Sequence, residues 1–323
     1  MKGFKDKKMK VAVGIAIAAI LFMILPWVVS GYWLRLITSV FMYIVVAKSI
    51  DLMMGYTGYV PFGNVVFFGL GAYSAGIAMS HGWPFIPSLL VGALLSALLC
   101  FLVGTPVLRL RGHYFAVATI GLNGAVMTVA LNTTALSGGA MGLSFPVPAL
   151  EPGVLYKYFY FMMFVLMAAT VHISYLLVKS RFGFAIRSIK SDEEAARSLG
   201  INTTYYKITT WIIGAVLTSF AGSIYGYWMS YIHTTDVFNM SIGLNAILMV
   251  LMGGTGTILG PVLGAFIFQI LSETIWSYFL TFHLGLLGIV TILVIYFTPK
   301  GLFATVEEWR TSYRLKGKRG GEV

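Results

Sequence analysis

Apolar residues run along this chain in long stretches broken by short polar or charged segments. The stretches cover residues 11–30, 33–54, 60–80, 85–108, 114–134, 156–178, 205–231, 240–252, 258–279 and 283–298. Each is near or somewhat below the ~20 apolar residues that a helix needs to cross a bilayer core, and 240–252 is clearly short. The expected fold is all-α: a polytopic membrane protein with about ten transmembrane helices, some short or glycine-broken, occupying residues 11–299. A basic segment, 1–10, precedes this region and a basic tail, 300–323, follows it. The basic start and first apolar run lack the A-x-A pattern of a cleaved signal, and the run is longer than a signal core, so a retained first span is expected.

Composition supports the same class. Of 323 residues, 58% are hydrophobic and only 10% charged, with a mean hydropathy of +0.86; a water-soluble surface needs far more charge. The net charge of +11 does not point to nucleic acid, because the basic residues sit at the ends of apolar runs rather than on one domain. Alternating sides from an N-terminus in the cytoplasm places 19 of the 22 Lys and Arg residues inside, in agreement with the positive-inside rule. Both termini, the Arg109–Arg111 turn and the long loop at 180–202 are then cytoplasmic.

The chain carries no catalytic constellation. The one cysteine, Cys100, excludes an internal disulfide and makes a cysteine metal site implausible. The histidines at 81, 113, 172, 233 and 283 have no metal-ligand spacing. No G-x-x-x-x-G-K-[ST] phosphate loop occurs, so ATP binding by that route is excluded. No enzyme activity, metal or cofactor is expected.

The charged loop SRFGFAIRSIKSDEEAARSLGIN, 180–202, interrupts the apolar pattern most sharply. Ser191 followed three residues later by Glu194 reads as a capping box, so a helix is expected to begin at Asp192. Gly200 stands where a left-handed residue is wanted, so the helix should stop at Leu199, about 12 Å long at 1.5 Å per residue. On pattern alone, a solvated helix lying on the membrane surface explains it equally well.

Glu194-Ala195-Ala196, then three residues, then Gly200, resembles the EAA loop of ABC importer permeases. The wider run resembles the version in the branched-chain amino acid importer family, specifically its M-subunit type. The resemblance implies a cytoplasmic helix, carried by Ser191, Glu194, Ala195, Ala196, Leu199 and Gly200, that docks on an ATP-binding subunit. It also implies a second permease subunit of the H type, two cytoplasmic ATPase subunits, an external solute-binding protein, and a place in the cell membrane.

Other stretches carry the same likeness across about 48–302. They are Gly55 to Tyr73, the run LRLRGHYF at 108–115, the loop SGGAMGL at 137–143, and 253–264. Tyr59, Pro61, Asn64 and Asp51 depart from residues common in the family, and these differences bear on the solute. The sequence LSGGA at 136–140 looks like an ABC ATPase signature, but it falls in an expected external loop.

Met54-Gly55-Tyr56-Thr57-Gly58 and Met252-Gly253-Gly254-Thr255-Gly256 share the pattern M-G-x-T-G. Two glycine-interrupted segments at corresponding places suggest the centre of a transport path, and the pattern leaves parallel and inverted repeats open. Expected path residues are Gly55, Thr57, Gly58, Tyr59, Asn64, Gly253, Gly254, Thr255 and Gly256, although close helix packing explains any one of the glycines. Asn64, an amide in an apolar run, needs either a wet cavity or an interhelical partner. Lys48 and Asp51, at i and i+3, either neutralise each other or form an ion relay.

The expected function is therefore a permease subunit of an ATP-driven importer for branched-chain or related amino acids. The alternatives are the same machine for urea or short amides, and an ion-coupled carrier using Lys48, Asp51 and Glu273.

Overall fold

The computed structural model describes residues 22–29, 31–146, 151–279, 282–298 and 301–303. The long helices in chain order are α1 (Gly31–Thr57), α2 (Val65–Ser80), α3 (Phe85–Val107), α4 (His113–Asn132) and, after the one-turn α5 (Thr134–Ser137), α6 (Pro152–Lys179). The 180–202 loop folds as α7 (Arg181–Ser191) and α8 (Glu193–Ser198). Then come α9 (Thr203–Met229), the one-turn α10 (Thr234–Val237), α11 (Met240–Gly253), α12 (Gly260–Tyr278) and α13 (His283–Phe297). Nine of the expected runs coincide with these helices. The first, 11–30, lies mostly outside the described residues, with 22–28 helical.

Among the described residues, six helices are long and apolar enough to cross a membrane, one of them the joined stretch 234–253. Val65–Ser80 and Gly285–Val294 are shorter, so length alone does not carry the expected ten crossings. α2 starts at Val65 rather than at residue 60, because Gly58 turns the chain with φ +83° and Pro61 and Gly63 follow it. Beneath 234–253 the chain is broken at Phe238 and Asn239, and Asn239 caps α11 by accepting from the Ser241 amide at 2.9 Å.

α1 and α9 form the enclosed centre, while α3, α4 and α6 leave most of their surface uncovered. α9 packs on α2, α3 and α1, and α1 also packs on α6, α11 and α12. The α2–α9 crossing is close because both helices present small residues there. A Cβ on Gly222 would stand 1.9 Å from the Phe68 carbonyl oxygen, and one on Gly71 would stand 2.2 Å from that of Ser219. Ser223 Oγ donates to the Gly71 carbonyl at 3.0 Å, a small-residue seam with a polar stitch.

The bundle has two distinct ends. At one, residues 143–144 pair antiparallel with 231–232, and Tyr73 shares a 2.7 Å hydrogen bond with Thr234. At the other lie the 108–111 turn, the 180–202 loop, both M-G-x-T-G segments and Gly301, joined by the contacts described below. The expected external and cytoplasmic loops thus sort to opposite ends.

Candidate functional site

The charged loop folds differently from its sequence pattern in one respect. Ser191 is the last residue of α7, and its hydroxyl donates to the Arg187 carbonyl at 3.2 Å, so it does not cap α8. Asp192 does. Its backbone is extended, with φ −160° and ψ 111°, and its Oδ1 accepts from the amides of Glu194 at 2.9 Å and Ala195 at 3.0 Å. Glu194 turns outward instead, to Arg111 at 3.0 Å. At the far end Gly200 is left-handed, φ +84°. The Gly200 amide bonds the Arg197 carbonyl at 3.0 Å and the Ile201 amide bonds that of Ala196 at 3.1 Å, the paired bonds of a Schellman cap.

α8 therefore has an inner and an outer face. Ala196 is buried, whereas Glu194 and Ala195 are exposed and Leu199 is 81% exposed. The inner anchor is Glu193, which the sequence reading did not single out. Tyr59 Oη donates to its Oε2 at 2.6 Å, and Lys207 Nζ donates to its Oε1 at 2.7 Å. Lys207 also donates to Tyr59 Oη at 3.0 Å and to the Leu108 carbonyl at 3.2 Å. Burial works against the Glu193 charge, but the hydrogen bonds from Lys207 and Tyr59 outweigh it and hold the carboxyl below its ordinary pKa. A lone lysine four residues into an apolar helix was the available signal for this partner.

The two M-G-x-T-G segments meet each other. A Cβ on Gly55 would lie 2.4 Å from the Gly256 nitrogen and 2.1 Å from Asp51 Oδ1, so only glycine fits. Asp51 Oδ1 accepts from the Gly256 amide at 2.7 Å, and Lys48 Nζ donates to Asp51 Oδ2 and to the Thr257 carbonyl, both at 2.8 Å. Both charged side chains are 0% exposed. Gly301, past the end of α13, closes the cluster, since a Cβ there would stand 2.3 Å from Gly254 Cα. Three segments far apart in sequence thus touch backbone to backbone beside a sealed ion pair. Lys190, at the end of α7, donates to the Gly55 carbonyl at 2.7 Å.

The remaining expected path residues are distributed around this cluster. Thr57 is buried and donates to the Met53 carbonyl at 2.6 Å. Gly58 lies beside the Lys190 side chain, Gly253 is buried, and Thr255 is exposed. Asn64 is buried among α9 side chains, its Nδ2 donating to Thr218 Oγ1 at 3.1 Å and its Oδ1 accepting from Trp211 Nε1 at 3.4 Å. Both ends of the amide are therefore satisfied by interhelical bonds in this conformation.

Near the opposite end a cavity of about 530 Å³ opens between α2, α3 and α4, lined by Tyr73, Trp83, Leu95, Val126, Leu136 and Phe238 among others. The hydroxyls of Ser74, Thr133 and Ser137 at its wall donate to backbone carbonyls, and His81 Nδ1 lies 2.8 Å from the Ile77 carbonyl. The wall thus offers apolar contact and little else. No cluster of metal-binding side chains occurs among the described residues.

Comparison with known proteins places these features in a family. A model described as branched-chain amino acid transport system / permease component matches residues 32–295. The high-affinity branched-chain amino acid transport system permease protein LivM of Salmonella typhimurium is 26% identical over 325 residues, covering 92% of this chain and 75% of that protein. The probable branched-chain amino acid transport permease protein LivM of Methanocaldococcus jannaschii is 23% identical, covering 81% of this chain and 90% of that protein. The autoinducer 2 import system permease protein LsrC of Yersinia pestis is 27% identical over 210 residues, covering 62% of this chain and 57% of that protein. A solved structure, PsaBC from Streptococcus pneumoniae in complex with Fab, matches with a TM-score of 0.46 and 14% identity, covering 89% of this chain and 99% of that chain.

Proposed function

This chain belongs to the family of branched-chain amino acid transport system permease components, and from that premise we propose that it is the LivM-type membrane subunit of an ATP-driven importer. Its work is to pass a small solute, a branched-chain or related amino acid, across the cell membrane. Energy comes from two cytoplasmic ATPase subunits, a second permease subunit completes the path, and an external binding protein delivers the solute. Both termini and the 180–202 loop face the cytoplasm.

The observation that carries this reading is the two-faced α8. Its inner face is held to the bundle by Glu193, buried against Lys207 and Tyr59. Its outer face leaves Ala195 and Leu199 exposed, beside Glu194 and Arg111. A short helix fixed at its base, with a small residue next to an apolar knob on top, is built to seat in a groove on another subunit. A carrier working alone has no use for such a surface. The groups an ion-coupled carrier would use each have a partner in this conformation, Lys48 with Asp51 at 2.8 Å and Glu273 with Tyr32 at 2.7 Å.

The test is Gly200→Val in the reconstituted complex. No neighbouring atom lies within 4 Å of a Cβ at this position, so the substitution acts only through its left-handed backbone, at about 1–3 kcal/mol. Permease accumulation should be normal, with loss of ATPase co-purification and of solute-stimulated hydrolysis. Full coupling in that variant would reduce α8 to a surface helix. Competition of uptake by leucine and by urea identifies the solute class.

A further inference from the structure

Lys190 is the charged side chain that joins the α7–α8 unit to the glycine cluster. Its ammonium donates to the Gly55 carbonyl at 2.7 Å. Gly55 lies in the last turn of α1, whose final carbonyls have no partner within the helix, so a lysine there satisfies an orphan acceptor at the negative end of the dipole. The stem of Lys190 passes 3.6 Å from the Cβ position of Gly58, and its nitrogen lies 3.7 Å from that of Gly256. Other charged groups of the unit make their bonds outside the Gly55–Gly256 contact. Arg187 donates to the Gly183 and Val178 carbonyls, Glu194 meets Arg111, and Glu193 meets Tyr59 and Lys207.

What Lys190 grips is rigid. Gly55 and Gly256 are in backbone contact, Asp51 fixes the Gly256 amide, and Lys48 fixes the Thr257 carbonyl. A pull on the Gly55 carbonyl therefore moves the end of α1 together with the α11–α12 turn, and so reaches helices from both parts of the chain. We propose that Lys190 is a positioning residue for transport coupling: it passes displacement of α7–α8 to the two glycine turns as one body. The proposal rests on the reading of α8 as the ATPase-docking helix.

The experiment uses the reconstituted complex of both permease subunits, the ATPases and the binding protein, comparing Lys190→Met, Lys190→Arg and Lys190→Cys. Lys190→Met should keep ATPase assembly and basal hydrolysis while the solute moved per ATP falls about tenfold, inside the ~5- to 150-fold range usual for coupling between sites. Lys190→Arg should recover to within about twofold of the parent, because it keeps a charged donor. Lys190→Cys should recover when an aminoethyl group is attached through a disulfide, and not when a neutral methyl group is attached. The native thiol, Cys100, is buried.

A parent-like ratio of solute to ATP in Lys190→Met overturns the proposal, as does equal rescue by the charged and neutral reagents. Failure of both Lys190→Met and Lys190→Cys to accumulate would make Lys190 a folding residue and would overturn it too. If Gly200→Val also leaves assembly and coupling intact, the docking reading of α8 has failed; if only Lys190→Met is silent, the docking reading stands and the lysine link falls.

Discussion

The phenol of Tyr59 donates to the carboxylate of Glu193 across 2.6 Å, joining the turn after α1 to the first residue of α8. Lys207 completes the triangle by bonding both. Tyr59→Phe removes a hydrogen bond to a charged acceptor and should lower stability by about 1.5–3 kcal/mol. Lys207→Met removes a charged donor from Glu193 but leaves it the Tyr59 hydroxyl and Arg197 at 3.3 Å, and should cost about 1.5–3 kcal/mol. Thermal unfolding of the purified permease measures each, and a double-mutant cycle with a coupling near zero would show that the two bonds are independent.

The same carboxylate sets a pH dependence. Glu193 is held below its ordinary pKa, so its contribution is fully present above the unfolded value, about 4.3, and is lost only as pH falls through the lower folded value. Anchorage of α8 should thus be flat from neutral pH down to the ordinary carboxylate range and should loosen only below it. Thiol labelling of a Leu199→Cys variant across that range reads the loosening. A transition at pH 6 to 7 would assign the switch to another group.

The sealed pair Lys48–Asp51 should behave as a unit. Lys48→Met leaves an uncompensated buried carboxylate and should cost about 3–5 kcal/mol, enough to reduce accumulation. Adding Asp51→Asn removes the second charge and keeps an oxygen for the Gly256 amide, so the double variant should regain most of the loss. Membrane yield and uptake measure this. Recovery of protein without recovery of uptake would reinstate an ion relay.

The α2–α9 seam and the bare face of α4 make opposite predictions for one added methyl group. Gly222→Ala drives a Cβ into the Phe68 carbonyl and should destabilise by about 1–3 kcal/mol. Gly124→Ala meets no atom within 4 Å and, inside a helix, should stabilise the subunit by about 0.5–1 kcal/mol. Thermal midpoints of the isolated subunit distinguish them, and equal shifts would contradict the packing described.

The helices were legible because a bilayer leaves the backbone few choices, and apolar length alone locates nine of them. Helix ends were less so. Ser191 and Asp192 are both good capping residues, and the choice fell to Asp192 because α7, amphipathic and ending in a basic turn, runs up to Ser191 and takes its hydroxyl. The likeness of the two M-G-x-T-G segments was visible, but likeness carries no information about contact, and that Gly55 rests on Gly256 emerges only from packing. Glu193 was hidden for a related reason: beside Asp192 and Glu194 it reads as one more acid in a first turn, and its difference lies entirely in what faces it.

The cluster of Gly55, Gly254, Gly256 and Gly301 also orders events in time. Its first and last parts, Gly55 and Gly301, leave the ribosome about three-quarters of the 323-residue chain apart, so Asp51 and Lys48 enter the membrane with each other but without the Gly256 amide or the Thr257 carbonyl. A chain halted before residue 252 can already form α8, yet Lys190 then holds a carbonyl that nothing braces. Threading and bracing are separate steps, and the contact of Gly55, Gly254, Gly256 and Gly301 is complete only when synthesis has passed Gly301.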